Sequence, residues 1–212
     1  GYQAMHQSGA VPASAHNTFI GKDSGGGDWV APVSTGNVGV GNYTLDAAME
    51  GAIYNTAVGY STLSGVIDGD YNTAIGYAAG TALTTGSSNV AIGGDALGGV
   101  VTGDFNIAIG QAAGGAITGG TENVMIGHDT GDTLTTGTHN TIIGAAADAE
   151  SSGVVRCNIL GHNVSGGNDS TTLGEGANDI RATHGSTTWA TVSDERFKTN
   201  IETSTAGLNF IN

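Results

Sequence analysis

A chain of 212 residues with a formal net charge of −14 and only five Lys and Arg offers no basic patch, which excludes nucleic acid and anionic membrane surfaces as partners. No run of eighteen apolar residues occurs, so no helical membrane insertion is expected, and the single cysteine, Cys157, excludes an internal disulfide framework. Gly supplies 38 residues and Pro 2; a flexible linker would share that glycine content but not its regular placement.

The first elements are five-residue runs of the form Asn-x-x-[Ile/Val]-Gly. NTFIG closes at Gly21, NVGVG at Gly41 and NTAVG at Gly59. NTAIG, NVAIG, NIAIG, NVMIG and NTIIG follow, closing at Gly76, Gly93, Gly110, Gly127 and Gly144, and CNILG closes at Gly161. From Gly59 to Gly161 the interval is 17 residues six times in succession; before it the intervals are 20 and 18, and a degenerate STTLG ends 13 residues further on, at Gly174. GNVGVG at 36–41 has the look of a dinucleotide loop, but no βαβ pattern surrounds it, so it reads as one more repeat turn.

Within a repeat, a second apolar residue falls seven positions after the glycine, at Val66, Leu83, Val100, Ile117 and Leu134. A second glycine falls ten positions after it, at Gly69, Gly86, Gly103, Gly120 and Gly137. This predicts two short extended segments per repeat, separated by turns where glycine supplies positive φ. Helix is excluded by the missing 3.6-residue stripe and by two glycines per unit. Stacked units give an all-β fold, a parallel β-roll or β-solenoid of about ten repeats. The Ile or Val before each glycine is expected to form the inward aliphatic ladder. Thr62, Ala79, Ala96, Ala113, Thr130 and Ala147 would let neighbouring walls approach, and the Asn residues would form a hydrogen-bonded corner ladder. At about 4.8 Å per rung, ten coils make a rod about 50 Å long. Seventeen residues enclose little interior, so a homotrimer, intertwined or side by side, is expected to bury a second apolar face.

Other signals along the chain are weaker. DGDYN at 68–72 lacks the distal Glu of a calcium loop and reads as turn carboxylates. Six His are scattered without ligand spacing, so no metal or cofactor is expected. Cys157 occupies a ladder position and reads as a buried free thiol. TALTTG and DTLTTG raise an ice-binding reading, but the column Ile67, Thr84, Val101, Thr118, Thr135, Ser152 is too irregular to match a lattice. Tyr54, Tyr60, Tyr71, Tyr77 and Phe105 cluster on successive repeats and are the receptor-binding candidates, suited either to stacking on sugars or to packing between subunits.

The NTAVGY, DGDYNTAIGYAAG and NVAIG runs, over roughly residues 1–161, resemble the repeats of phage tail fibres and of trimeric autotransporter adhesin heads, which build a parallel β-roll in a homotrimer. The period here is longer than in the adhesin heads. Three of the five basic residues, Arg181, Arg196 and Lys198, lie in the last thirty-two positions, and there SDERFKTNI resembles the start of the peptidase S74 intramolecular chaperone of phage tail fibres. In that family the chaperone trimerises, guides folding and then cuts itself off. Carried over by position, the resemblance implies Ser193 as nucleophile and Lys198 as base, with Asp194 and Arg196 completing the motif and Val192–Ser193 as the scissile bond. The same residues also read as an ordinary helix N-terminus.

The resulting division is a β-roll shaft at 1–161, a Gly/Asn/Ser-rich transition at 162–192 and a truncated chaperone start at 193–212. The chain opens on GYQAM without an initiator Met and is expected to be part of a longer fibre, joined to other tail proteins through an N-terminal part. The implied role is structural and receptor-binding, in an extracellular virion tail that attaches to a host cell-surface glycan or protein. Self-cleavage would be its one enzymatic step. A bacterial surface trimeric adhesin and a monomeric β-solenoid, ice-binding or matrix-forming, are the alternatives.

Overall fold

Residues 15–186 except 28, 30 and 31, together with 190–191, are described by a computed structural model of the chain. Among them every regular element is a strand: β1 Thr18–Ile20, β2 Val38–Val40, β3 Thr56–Tyr60, β4 Thr73–Tyr77, β5 Val90–Ile92, β6 Ile107–Ile109, β7 Val124–Ile126, β8 Thr141–Ile143, β9 Asp148–Ala149, β10 Asn158–His162, β11 Ser165–Gly166, β12 Ser170–Glu175, β13 Asn178–Thr183 and β14 Ala190–Thr191. The Asn-x-x-[Ile/Val]-Gly runs form the strands β1 to β8 and β10, which stack in parallel with β12 into one sheet. Equivalent residues pair from rung to rung: Ala57 with Ala74, Ala74 with Ala91, Ala91 with Ala108. The fold is a parallel β-solenoid of about nine turns with roughly 17-residue spacing. β13 and β14 then continue the sheet antiparallel, where the chain reverses after Glu175.

The Asn ladder forms as its spacing suggests. From Asn37 to Asn123 each Asn is buried, its Oδ1 accepting the backbone N–H of the Asn one coil on and its Nδ2 donating to a carbonyl three residues before that Asn. The small-residue ladder is also in place, with Thr62, Ala79, Ala96, Ala113, Thr130 and Ala147 all fully buried.

The aliphatic ladder is turned the other way. The residue before each repeat glycine faces out: Ile75 is 41% exposed and Leu160 50%. The residue two before the glycine faces in, and it is Ala57, Ala74, Ala91, Ala108, Met125, Ile142 and Ile159 along the array. Asn points inward, so strand alternation sends the next residue out, the following one in and the Ile or Val out again.

The interior is filled by compensation. Leu63 and Leu97 are fully buried four residues after their glycines, where the neighbouring coils have Gly80 and Gly114. A Cβ at Gly80 would stand 2.8 Å from Leu63 Cδ2, and one at Gly131 2.8 Å from Met125 Sδ. In the first described coil Phe19 meets Trp29 edge-on, with ring centroids 5.4 Å apart.

The second apolar segment is less regular than expected. Among the described residues it contributes one isolated bridge, Leu83 with Val101; two more, Thr121 with Thr138 and Thr138 with Val155, lie just before the Asn column, and β9 pairs with β11 in a separate two-stranded sheet. Val66, Leu83, Ile117 and Leu134 are buried, but Val100 is 59% exposed and Val101 takes the inward place. The Gly98–Gly99 pair puts one extra residue before this position, and the chain recovers it by keeping one residue rather than two between Val101 and Gly103.

The corners also differ from expectation. Gly69, Gly86, Gly103, Gly120 and Gly137 do not take positive φ; they are glycine because the next coil's backbone lies against them, a Cβ at Gly86 standing 2.5 Å from the Gly103 carbonyl oxygen. The left-handed corners are occupied by side-chain-bearing residues instead, including Tyr54, Tyr71, Ser88, Phe105, Glu122, His139 and Arg156 in one column. Each costs about 1–2 kcal/mol of local strain. The rung-to-rung bond offsets it, as where Ser88 N–H donates to Asp70 O at 2.8 Å. The repeat glycines Gly59, Gly76, Gly93, Gly110, Gly127, Gly144 and Gly161 lie at φ between 131° and 151°, a region open essentially to glycine alone.

Candidate functional site

The alternation that buries Asn and Ala leaves the outer face of the long sheet built from the residues three and one before each repeat glycine. In strands β1 to β8 and β10 the first set is Thr18, Val38, Thr56, Thr73, Val90, Ile107, Val124, Thr141 and Asn158. The second is Ile20, Val40, Val58, Ile75, Ile92, Ile109, Ile126, Ile143 and Leu160. None of the eighteen is charged, although the chain carries twenty-four charged residues. A sheet solvated on one face alternates apolar with polar, whereas apolar residues on both faces mark a sheet covered on both sides.

Two columns flank this face, and they contain all five aromatic candidates. Tyr54, Tyr71 and Phe105 stand just before the buried Asn, and Tyr60 and Tyr77 just after the repeat glycine; each of the five is about half exposed. Tyr54 and Tyr71 stack at 5.3 Å with an interplanar angle of 20°, and Tyr60 and Tyr77 at 5.5 Å and 7°. The rings therefore spend their faces on one another and turn their edges outward. The columns pause together at Ser88 and Gly94 and resume as Phe105 and Gln111.

Tyr43 is an aromatic the sequence reading missed. It meets Tyr60 edge-on at 5.4 Å and accepts a hydrogen bond from Lys22 Nζ at 2.7 Å, which raises the lysine's pKa.

Lower on the rod the flanks become polar, with an ion pair. His139 Nε2 lies 2.8 Å from Glu122 Oε2, and Arg156 Nε donates to Asp169 Oδ1 at 2.6 Å, holding that carboxyl below its usual range. On another side, burial and then the neighbouring Asp129 and Asp148 push the Asp132 carboxyl up. The Asp70 carboxylate serves the backbone, its Oδ1 accepting Ile53 N–H at 2.8 Å. Cys157 is fully buried in the column that Asn holds in other coils, and burial pushes its thiol up to about 11. Among the described residues no group of three His, Cys, Asp or Glu stands ready to hold a metal ion, and no pocket opens. Ser193, Asp194, Arg196 and Lys198, with the Val192–Ser193 bond, lie outside the described residues.

The signal for the outer face was present in the sequence, in the pairing of β-branched residues with Ala or Gly between them, but the phase was read one residue off. No family model, curated protein or solved structure matches the chain.

Proposed function

We propose that this chain is the shaft of a homotrimeric phage tail fibre, a structural and host-attaching part of the virion tail. The observation that carries the reading is the uncharged face running along the solenoid, one column of it wholly aliphatic and the other divided between aliphatic residues and Thr or Asn. A solitary rod, ice-binding or matrix-forming, would present polar residues there, and a fibre of several chains needs such a face. Repetition then gives reach and multivalent engagement of a surface glycan or protein.

The charge cluster at the C-terminal end belongs, in this reading, to a chaperone that releases itself. Lys198 takes the proton of the Ser193 hydroxyl, Oγ attacks the Val192 carbonyl carbon, and the amide opens to an ester with the proton passing to the freed amine. Water then hydrolyses the ester, leaving a shaft that ends at Val192. Expression of the full-length precursor tests this: wild type is expected to give a processed band ending at Val192, and Ser193→Ala a single unprocessed chain. Equal processing in both would reject the chaperone.

A further inference from the structure

We infer that the outer face of the long sheet is the contact between copies of this chain, with three solenoids packed parallel and in register around a common axis; the inference rests on the trimeric reading above and assigns it a surface. Ten parallel strands at about 4.8 Å per rung make the face about 43 Å tall, and the seven residues from Tyr54 to Tyr60 make it about 20 Å wide. The area, roughly 900 Å² per copy, is shared between two neighbours in a three-fold packing and totals roughly 2,700 Å² over three chains, in the range of multi-chain assemblies.

The occupant follows from the periodicity. A ladder of β-branched side chains repeated at every rung can be matched along its whole height only by a surface with the same rung spacing, which another copy supplies. Charge is compatible with this: the strip carries no charge in a chain of −14, so copies can meet there without repulsion. At three successive levels the flanks are matched in size, Tyr54 with Tyr60, Tyr71 with Tyr77 and Ser88 with Gly94, while Gly36 with Asn42 and His139 with Ala145 are not. Within one chain the two columns are separated by the width of the face, so this matching has its use across a boundary, where one copy's first flank meets the next copy's second.

Three copies fit the width. Packed sheets lie about 10 Å apart, which places each backbone about 5 Å from a shared axis, and a three-sided prism with that spacing has faces about 17 Å wide.

Native mass spectrometry with circular dichroism tests the assignment on the whole chain. Wild type is expected as a species of three 20.9 kDa chains. Ile75→Asp combined with Ile107→Asp, at exposed strip positions, is expected to give a single chain with an unchanged β spectrum, while Gly119→Asp, on an open turn elsewhere, stays trimeric. The milder pair Ile75→Thr and Ile107→Thr keeps β-branching, guards against misfolding of the Asp variant, and is expected to raise the concentration for half-dissociation about tenfold or more. A trimer that survives both double variants would overturn this face and leave the trimeric fibre standing. A two-chain wild-type species would overturn the three-fold packing. A single-chain wild type would overturn the trimer itself, whatever the precursor's processing shows.

Discussion

The interior Asn ladder should be the most sensitive part of the shaft, and Asn89→Ala measures it. Asn89 is fully buried. Its Oδ1 accepts Asn106 N–H at 2.8 Å, and its Nδ2 donates to Gly103 O at 3.0 Å. Truncation to Ala leaves that N–H and that carbonyl inside the tube without partners. Each orphaned buried group costs about 1–3 kcal/mol, so the substitution is worth about 4 kcal/mol, a large share of the 5–15 kcal/mol that holds a typical domain folded. Asn106 Nδ2 also loses its bond to Asn89 Oδ1 at 3.1 Å but keeps the one to Gly120 O at 2.8 Å, so it is not left without a partner. Denaturant titration followed by circular dichroism gives the number, with Asn158→Ala as control. Asn158 is exposed and its amide bonds only the Thr171 hydroxyl, so its loss should stay below about 0.5 kcal/mol. If Asn89→Ala and Asn158→Ala prove equally mild, the ladder is not what holds adjacent coils together.

The glycines divide into two kinds that one experiment separates. Gly76→Ala meets both a φ of 141° and the Gly93 carbonyl oxygen at 2.6 Å, so a loss of at least about 3 kcal/mol, or failure to fold, is expected by thermal melting. Gly119→Ala, with nothing within 4 Å and no positive φ, should be neutral or slightly stabilising in the same melt. Cys157 should react with a thiol reagent only after unfolding. Its folded pKa is raised from 9.0 to about 11, so the unfolded thiol ionises first and stability falls as pH climbs through that window, by about 2 kcal/mol in all. Cys157→Ser, compared at neutral and alkaline pH, should remove that part of the fall, and an unchanged slope would place its origin elsewhere.

How much of this could be read from sequence depends on which constraint each residue answers. The Asn and small-residue ladders were legible because burial of an amide and close approach of two walls each admit few residue types. The phase of the strand was not, because the two candidate positions, Ile75 and Ala74, are both apolar and two-residue alternation cannot choose between them. The buried Asn72 settles it, since an inward Asn fixes the parity of the three residues that follow. The corners were illegible for a different reason. Tyr71, Glu122 and Arg156 share no side-chain chemistry, and what holds them at positive φ is the backbone bond to the preceding coil, which only the stacked array supplies. Glycine signals were present but double in meaning, marking unusual φ at Gly76 and lack of space at Gly86.

The corrected phase changes the physics of the rod. An inward aliphatic ladder would have given each coil a branched side chain in its interior and a soluble outside. Instead, four successive coils place Ala57, Ala74, Ala91 and Ala108 inside and Val58, Ile75, Ile92 and Ile109 outside on adjacent positions. An alanine buries far less area than an isoleucine, and at about 25 cal/mol per Å² the larger hydrophobic gain in each strand still lies on the outer face. Ala inside is what allows a tube this narrow to close around its Leu and Val residues. The price is a single chain that exposes its bulkier ladder, and in the packing proposed above association adds stability to a solenoid that is already closed. On that view wild type should melt higher as the logarithm of chain concentration rises, a variant that weakens the outer strip should lose part of that rise, and Asn89→Ala should lower the melting temperature by about the same amount at every concentration. Concentration-dependent melts of Ile75→Thr and Asn89→Ala would show the two behaviours side by side, and identical concentration dependence in both would mean that the coil interior and the outer face are not separate sources of stability.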